Sequence, residues 1–146
     1  MKEKGKSFFI FILLAISFVI NAGCKEQVRS EYEFRESEIY EDFKMDFEKA
    51  QTKYQNSIIY YSGIIVDIEY PIESYKDDKC TIHFGLTIDD ICKSTYTQNF
   101  LQIAMKDHID ESYIGKQVLV KCEYKTAYQE DDGIIVILLK KGELIE

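Results

Sequence analysis

Histidine is scarce in this 146-residue chain: His83 and His108 are the only two. No Gly-x-Ser-x-Gly, His-Glu-x-x-His or phosphate-cradling glycine loop occurs. Nucleophile-elbow hydrolysis, zinc peptidase chemistry and P-loop phosphoryl transfer therefore have no sequence support. Basic residues are also in deficit, 18 Lys plus Arg against 26 Asp plus Glu, for a formal charge of −8. Phosphate backbones are bound through clustered Lys and Arg, so the balance argues against a nucleic-acid partner. The apolar run near the N-terminus, Phe8 to Ile20, holds 13 residues, where a membrane-spanning helix needs about 20. What is present is 46% hydrophobic and 14% aromatic content, enough for the core of one small folded domain and too much for a disordered chain.

The first 23 residues have the three zones of an export signal: Lys2, Lys4 and Lys6, then the apolar run, then Asn21-Ala22-Gly23 before Cys24. Small residues directly before a cysteine resemble the lipobox of bacterial lipoproteins, with Asn21 where an apolar residue is usual. The resemblance implies cleavage before Cys24, a diacylglyceryl group on its thiol and an acyl chain such as palmitate on its new amino terminus. It implies no other cofactor. The membrane is then a partner through acylated Cys24, and the location is the bacterial cell envelope, at the periplasmic face or the outer membrane. Cleavage leaves 123 residues with 15 basic and 25 acidic side chains, a net −10. It also leaves Cys80, Cys92 and Cys122, which can form at most one intrachain disulfide.

Residues 24–37 are polar and rich in Glu and read as a tether. Over 38–56 the stripe Ile39, Phe43, Phe47, Ala50 and Tyr54 predicts an amphipathic helix. A domain then fills 57–146. Ile58 to Tyr70 predicts a long strand bent at Gly63 and closed by Pro71, followed by strands over Lys79–Ile88 and Ile91–Thr97. Leu101, Ala104, Met105, His108 and Ile109 have helical spacing, with Asn99 as a cap and Gly115 as a breaker. Strands over Gln117–Tyr128 and Ile134–Lys140 follow, joined by an acidic turn ending in Gly133; the second is apolar on both faces and should be deeply buried. The order β-β-β-α-β-β is that of an OB-fold, a five-stranded β-barrel, so the expected class is mainly β.

The segments Glu48-Lys49-Ala50-Gln51-Thr52-Lys53-Tyr54, Tyr61-Ser62-Gly63-Ile64-Ile65 and Tyr113-Ile114-Gly115-Lys116-Gln117-Val118 resemble the tRNA-anti-like family of bacterial OB-fold proteins. The resemblance spans Ser37 to the C-terminus and implies the barrel fold, with no catalytic residues to transfer. OB-folds bind along strands two and three and the loops flanking them, which nominates Tyr70, Tyr75, His83, Tyr96 and Tyr128 as a binding face. The acidic residues on the same loops suit a protein or envelope component better than a phosphate chain. The rival reading is a nucleic-acid or nucleotide-binding OB-fold, and a third is a small exported hydrolase using His83 or His108. A triad needs a nucleophile converging on its base, and strand alternation sets Cys80 and His83 on opposite faces. The same alternation disfavours zinc held by Cys80, His83, Cys92 and Cys122. The acidic pairs at Asp77-Asp78 and Asp89-Asp90 lack calcium-loop spacing. A non-enzymatic, metal-free binding module is the expectation.

Overall fold

The structure is a computed structural model that describes residues 28–71, 80–85 and 98–145. The signal segment, Cys24, Tyr75, Tyr96, Cys92 and the strand expected over Ile91–Thr97 lie outside these residues. The architecture is mainly β, a seven-stranded mixed sheet with two short helices.

Part of the supposed tether is a strand. β1 (Glu31–Arg35) pairs in parallel with β2 (Ile58–Ile64). Its alternation explains the ordering. Tyr32 and Phe34 turn inward to meet the Tyr54 ring edge-on at 5.0 and 5.5 Å, while Glu31, Glu33 and Arg35 face solvent. Polar composition concealed this period-two pattern of aromatics.

The single helix expected over 38–56 is two: α1 (Glu38–Met45) and α2 (Phe47–Tyr54). Asp46 divides them. Its backbone is extended (φ −159°, ψ 97°), and its carboxylate accepts the Lys49 N–H at 3.1 Å, capping α2. The apolar stripe still faces one core, through Ile39, Tyr40 and Phe43 of α1 and Ala50 and Tyr54 of α2. Asp42 ties the two together, accepting from Lys53 Nζ at 2.5 Å and from the Tyr54 hydroxyl.

The sheet order is β1-β2-β6-β7-β5-β4-β3, with β3 at Asp67–Glu69, β4 at Cys80–Phe84, β5 at Phe100–Met105, β6 at Gln117–Gln129 and β7 at Ile135–Ile145. The long strand expected from Ile58 is thus realised as β2 and β3, separated by Ile65 and Val66. Ile65 N donates to Lys116 O beside β6, and Val66 N donates to His83 O in β4. Consecutive residues therefore bond beside β6 and to β4, which β7 and β5 separate in the sheet.

The segment expected to be a helix from Leu101 is β5, paired antiparallel with β4 and parallel with β7. Leu101, Ile103 and Met105 are buried and alternate with half-buried Gln102 and Ala104. Leu101 and Met105 fit either period; hydrogen bonding from strands on both sides decides for the strand. Among the described residues between β5 and β6, the helical element is a 3₁₀ turn at Glu111–Tyr113, capped by Asp110.

β6 bends through two bulges, near Lys121/Glu123 and Tyr124/Thr126. The expected turn joins it to β7, with Gly133 at φ 88° and Asp132 Oδ1 accepting the Ile134 N–H at 3.1 Å. β7 is buried on both faces as expected: Ile135, Ile137 and Leu139 enter the main core, and Val136 packs with Phe100 in a smaller cluster.

Candidate functional site

Of the nominated binding face, Tyr75 and Tyr96 lie outside the described residues; Tyr70, His83 and Tyr128 are described. Tyr70 follows β3; its hydroxyl donates to Ile109 O at 2.9 Å and its ring stacks on His108 at 5.2 Å. Tyr128 pairs with Val136, which is opposite Phe100 at the start of β5, whereas Glu69 pairs with Thr81, which is opposite Ala104 near its end. Tyr70 and Tyr128 thus lie at opposite ends of β5.

His83 is buried in β4, 7% exposed, with Asp67 as its register partner and Gln102 across on β5. Glu69 Oε2 stands 3.5 Å from Nε2, an ion pair only when the ring is protonated, and neither ring nitrogen makes a hydrogen bond among the described residues. Burial lowers its pKa below 6.5, opposed by Asp67 and Glu69. The ring is held in the sheet as a neutral side chain.

Cys80 and Cys122 are buried free thiols. Cys122 Sγ donates to Ile59 O at 3.3 Å, and burial pushes its pKa up to about 12. Desolvation also raises Cys80, whose thiol faces the Asp107 carbonyl at 3.6 Å. Both are poor nucleophiles, since reactivity belongs to the thiolate. No group of three or more His, Cys, Asp or Glu among the described residues converges to hold a metal ion.

A cavity of about 400 Å³ lies elsewhere, where β2 diverges from β4 and α1 crosses the gap. Its origin is geometric. β2 turns toward β6 while β3 continues beside β4, and β1 ends at Arg35, so among the described residues the edge near Gly63 and Ile64 has no flanking strand. Glu36, at φ 45°, turns the chain from β1 into α1, and its N–H donates to Ser62 O at 2.8 Å. Tyr61 and Phe84 form one wall, their rings edge to face at 4.9 Å, and Tyr40 closes the inner end from α1. Gly63 makes that wall possible, because a Cβ there would begin 2.9 Å from the Tyr61 ring and 3.0 Å from Phe84. Ser37, Lys44 and Gln98 are exposed at the mouth.

The sequence marked Gly63 as a bend and Asn99 as a helix cap. Asn99 caps β7 instead, its side-chain oxygen accepting the Ile135 N–H at 2.8 Å. Tyr40, Tyr61 and Phe84 gave no signal beyond core periodicity, because a residue beside a cavity and one in a filled core share the same spacing. Compared with known proteins, the chain matches no family model, no curated protein and no solved structure.

Proposed function

We propose that this is a bacterial lipoprotein, anchored in the cell envelope through acylated Cys24, whose folded part is a non-enzymatic OB-fold module that binds a protein or envelope component. The observation that carries the fold reading is the shared first strand. Ile58–Glu69 bonds to β6 along one half and to β4 along the other, so five strand paths can return on themselves as a small barrel does. The cavity at its bend supports binding, since ligands favour concave sites with apolar walls and few polar groups.

Two measurements test this reading. Cys24→Ala is expected to abolish lipid labelling and membrane partitioning; unchanged partitioning and labelling would refute the anchor. Crosslinking the lipidated protein in its native envelope is expected to capture a discrete partner. Oligonucleotide affinity that falls steeply with salt would instead favour the nucleic-acid reading.

A further inference from the structure

The outer face of β6 and β7 carries a charge opposite to that of the chain. Val120, Cys122 and Tyr124 of β6 are buried, so the residues alternating with them, Lys121 and Glu123, face outward with their register partners Glu143 and Lys140 of β7. Lys141, at φ 55°, turns its ammonium to Glu123 Oε2 at 3.1 Å, and Arg29, just before β1, reaches Oε1 of the same carboxylate at 2.6 Å. Lys106, just after β5, pairs with Glu143, and Lys125 is exposed at the second bulge of β6. Six cations thus surround two carboxylates. Glu31, Glu33 and Arg35 on the solvent side of β1 bring the net charge of the face to +3, which leaves −13 for the rest of a mature chain of −10.

Two features give this face a direction. One is uncompensated charge: Lys121, Lys125 and Lys140 make no ion pair among the described residues, because Arg29, Lys141 and Lys106 already occupy the two carboxylates. Lys121 lies instead over the Tyr60 ring, 5.8 Å from its centre. Gathering like charges on one face costs stability through repulsion, a cost that an anionic surface opposite them removes. The other is position. Arg29 holds the start of β1 to this face, and Cys24 is five residues earlier, a span of at most about 18 Å. Acylation of Cys24 therefore brings a bilayer within reach of these lysines, which favours lipid over nucleic acid as the anion.

We propose that the outer face of β6 and β7 lies against the headgroups of anionic phospholipids in the membrane that holds the lipid anchor, with Lys121, Lys125 and Lys140 as the principal contacts. A cation beside an anionic bilayer strengthens association roughly fivefold and acts within a Debye length. The inference rests on the reading of Cys24 as an anchor, and it names anionic lipid as an envelope component that the folded part binds.

The acylated protein, purified from its native envelope, is bound to vesicles of phosphatidylcholine alone or with about 30% phosphatidylglycerol. A water-soluble acetylating reagent at limiting dose then reports each lysine by mass spectrometry. Flotation with the neutral vesicles is expected and tests the anchor. Phosphatidylglycerol is expected to reduce acetylation of Lys125 and Lys140 roughly fivefold, and about 1 M salt, which shortens the Debye length to about 3 Å, to restore it. Lys44 and Lys49 on the helices are expected to react equally in both vesicles. The triple variant Lys121→Gln, Lys125→Gln, Lys140→Gln is expected to abolish the effect, read at Lys106 and Lys141, while Lys→Arg at the same three positions retains it. Flotation with equal acetylation in both vesicles, protection that salt leaves unchanged or that extends equally to Lys44 and Lys49, or protection that survives the Gln variant would overturn the proposal and leave the anchor standing. Stronger protection of these lysines by a single-stranded oligonucleotide on neutral vesicles would do the same. Failure to float with neutral vesicles would overturn the anchor reading and the proposal with it.

Discussion

Removing the hydroxyl of Tyr40 should stabilise the unliganded protein, and removing that of Tyr61 should do the opposite. Both rings are nearly buried, at 4% and 2% exposure, and line one cavity, so Tyr→Phe makes the same chemical change in similar surroundings. Tyr61 gives up a 2.9 Å hydrogen bond to Glu36 O, a net loss of about 1 kcal/mol. Tyr40 gives up no bond; deleting its hydroxyl relieves the cost of desolvating it, about 1–3 kcal/mol, of which we expect about 1 kcal/mol to be recovered. The variants should therefore differ by about 2 kcal/mol. With a urea m-value of roughly 1.5 kcal/mol/M their midpoints separate by about 1.3 M, and the melting temperature of Tyr40→Phe rises by about 4 °C. The chain has no Trp, so far-UV circular dichroism is the suitable probe of equilibrium unfolding. Equal destabilisation of the two variants would mean that the Tyr40 hydroxyl is satisfied in solution and would refute this reasoning.

The remaining predictions concern other parts of the fold. Because burial depresses the pKa of His83, the unfolded chain takes up its proton at a higher pH than the folded one. Stability should therefore fall as pH drops below about 6.5; pH-dependent urea titrations should show a flatter slope in His83→Gln, and an unchanged slope would reject that source. Asp42 is held below the ordinary carboxylate pKa by its bonds from Lys53 and Tyr54, so Asp42→Ala should cost about 1 kcal/mol at neutral pH, limited by the solvent exposure of the pair. That cost should vanish as pH falls through the depressed pKa, where wild-type Asp42 itself becomes protonated. Gly142→Ala places a Cβ 2.4 Å from Met105 Sδ and 2.7 Å from Ile103 Cγ2, so thermal unfolding should show a loss of about 1–3 kcal/mol from overpacking.

The boundary between what was legible and what was not runs through individual segments. The turn at Asp131-Asp132-Gly133 and the deep burial of β7 followed from residue types alone, since glycine takes positive φ and an unbroken apolar run has no solvent face to offer. The helix expected at Leu101 failed because the segment that carries the helical spacing Leu101, Ala104, Met105 also carries the alternation Leu101, Ile103, Met105. Only partners on both sides of the strand could separate the two. Glu31–Arg35 reads as polar tether until Tyr32 and Phe34 find Tyr54, more than 19 residues later in the chain. The division of the helix at Asp46 had a local signal, an Asp three residues before Lys49, but an uninterrupted apolar stripe outweighed it.

By itself, the sequence determined the mainly β class, the acidic balance and the positions of most strands, because these follow from composition and from period-two patterns within a few residues. The tertiary structure decided which strands are neighbours and where the chain leaves a space. Tyr40, the Tyr61–Gly63 segment and the Phe84–Gly85 pair are well separated in sequence and line one cavity because β2 bonds to β6 while β3 bonds to β4. A cavity is a property of elements that diverge, and hydrogen-bond partners outside a segment, which its own residues do not encode, set that divergence.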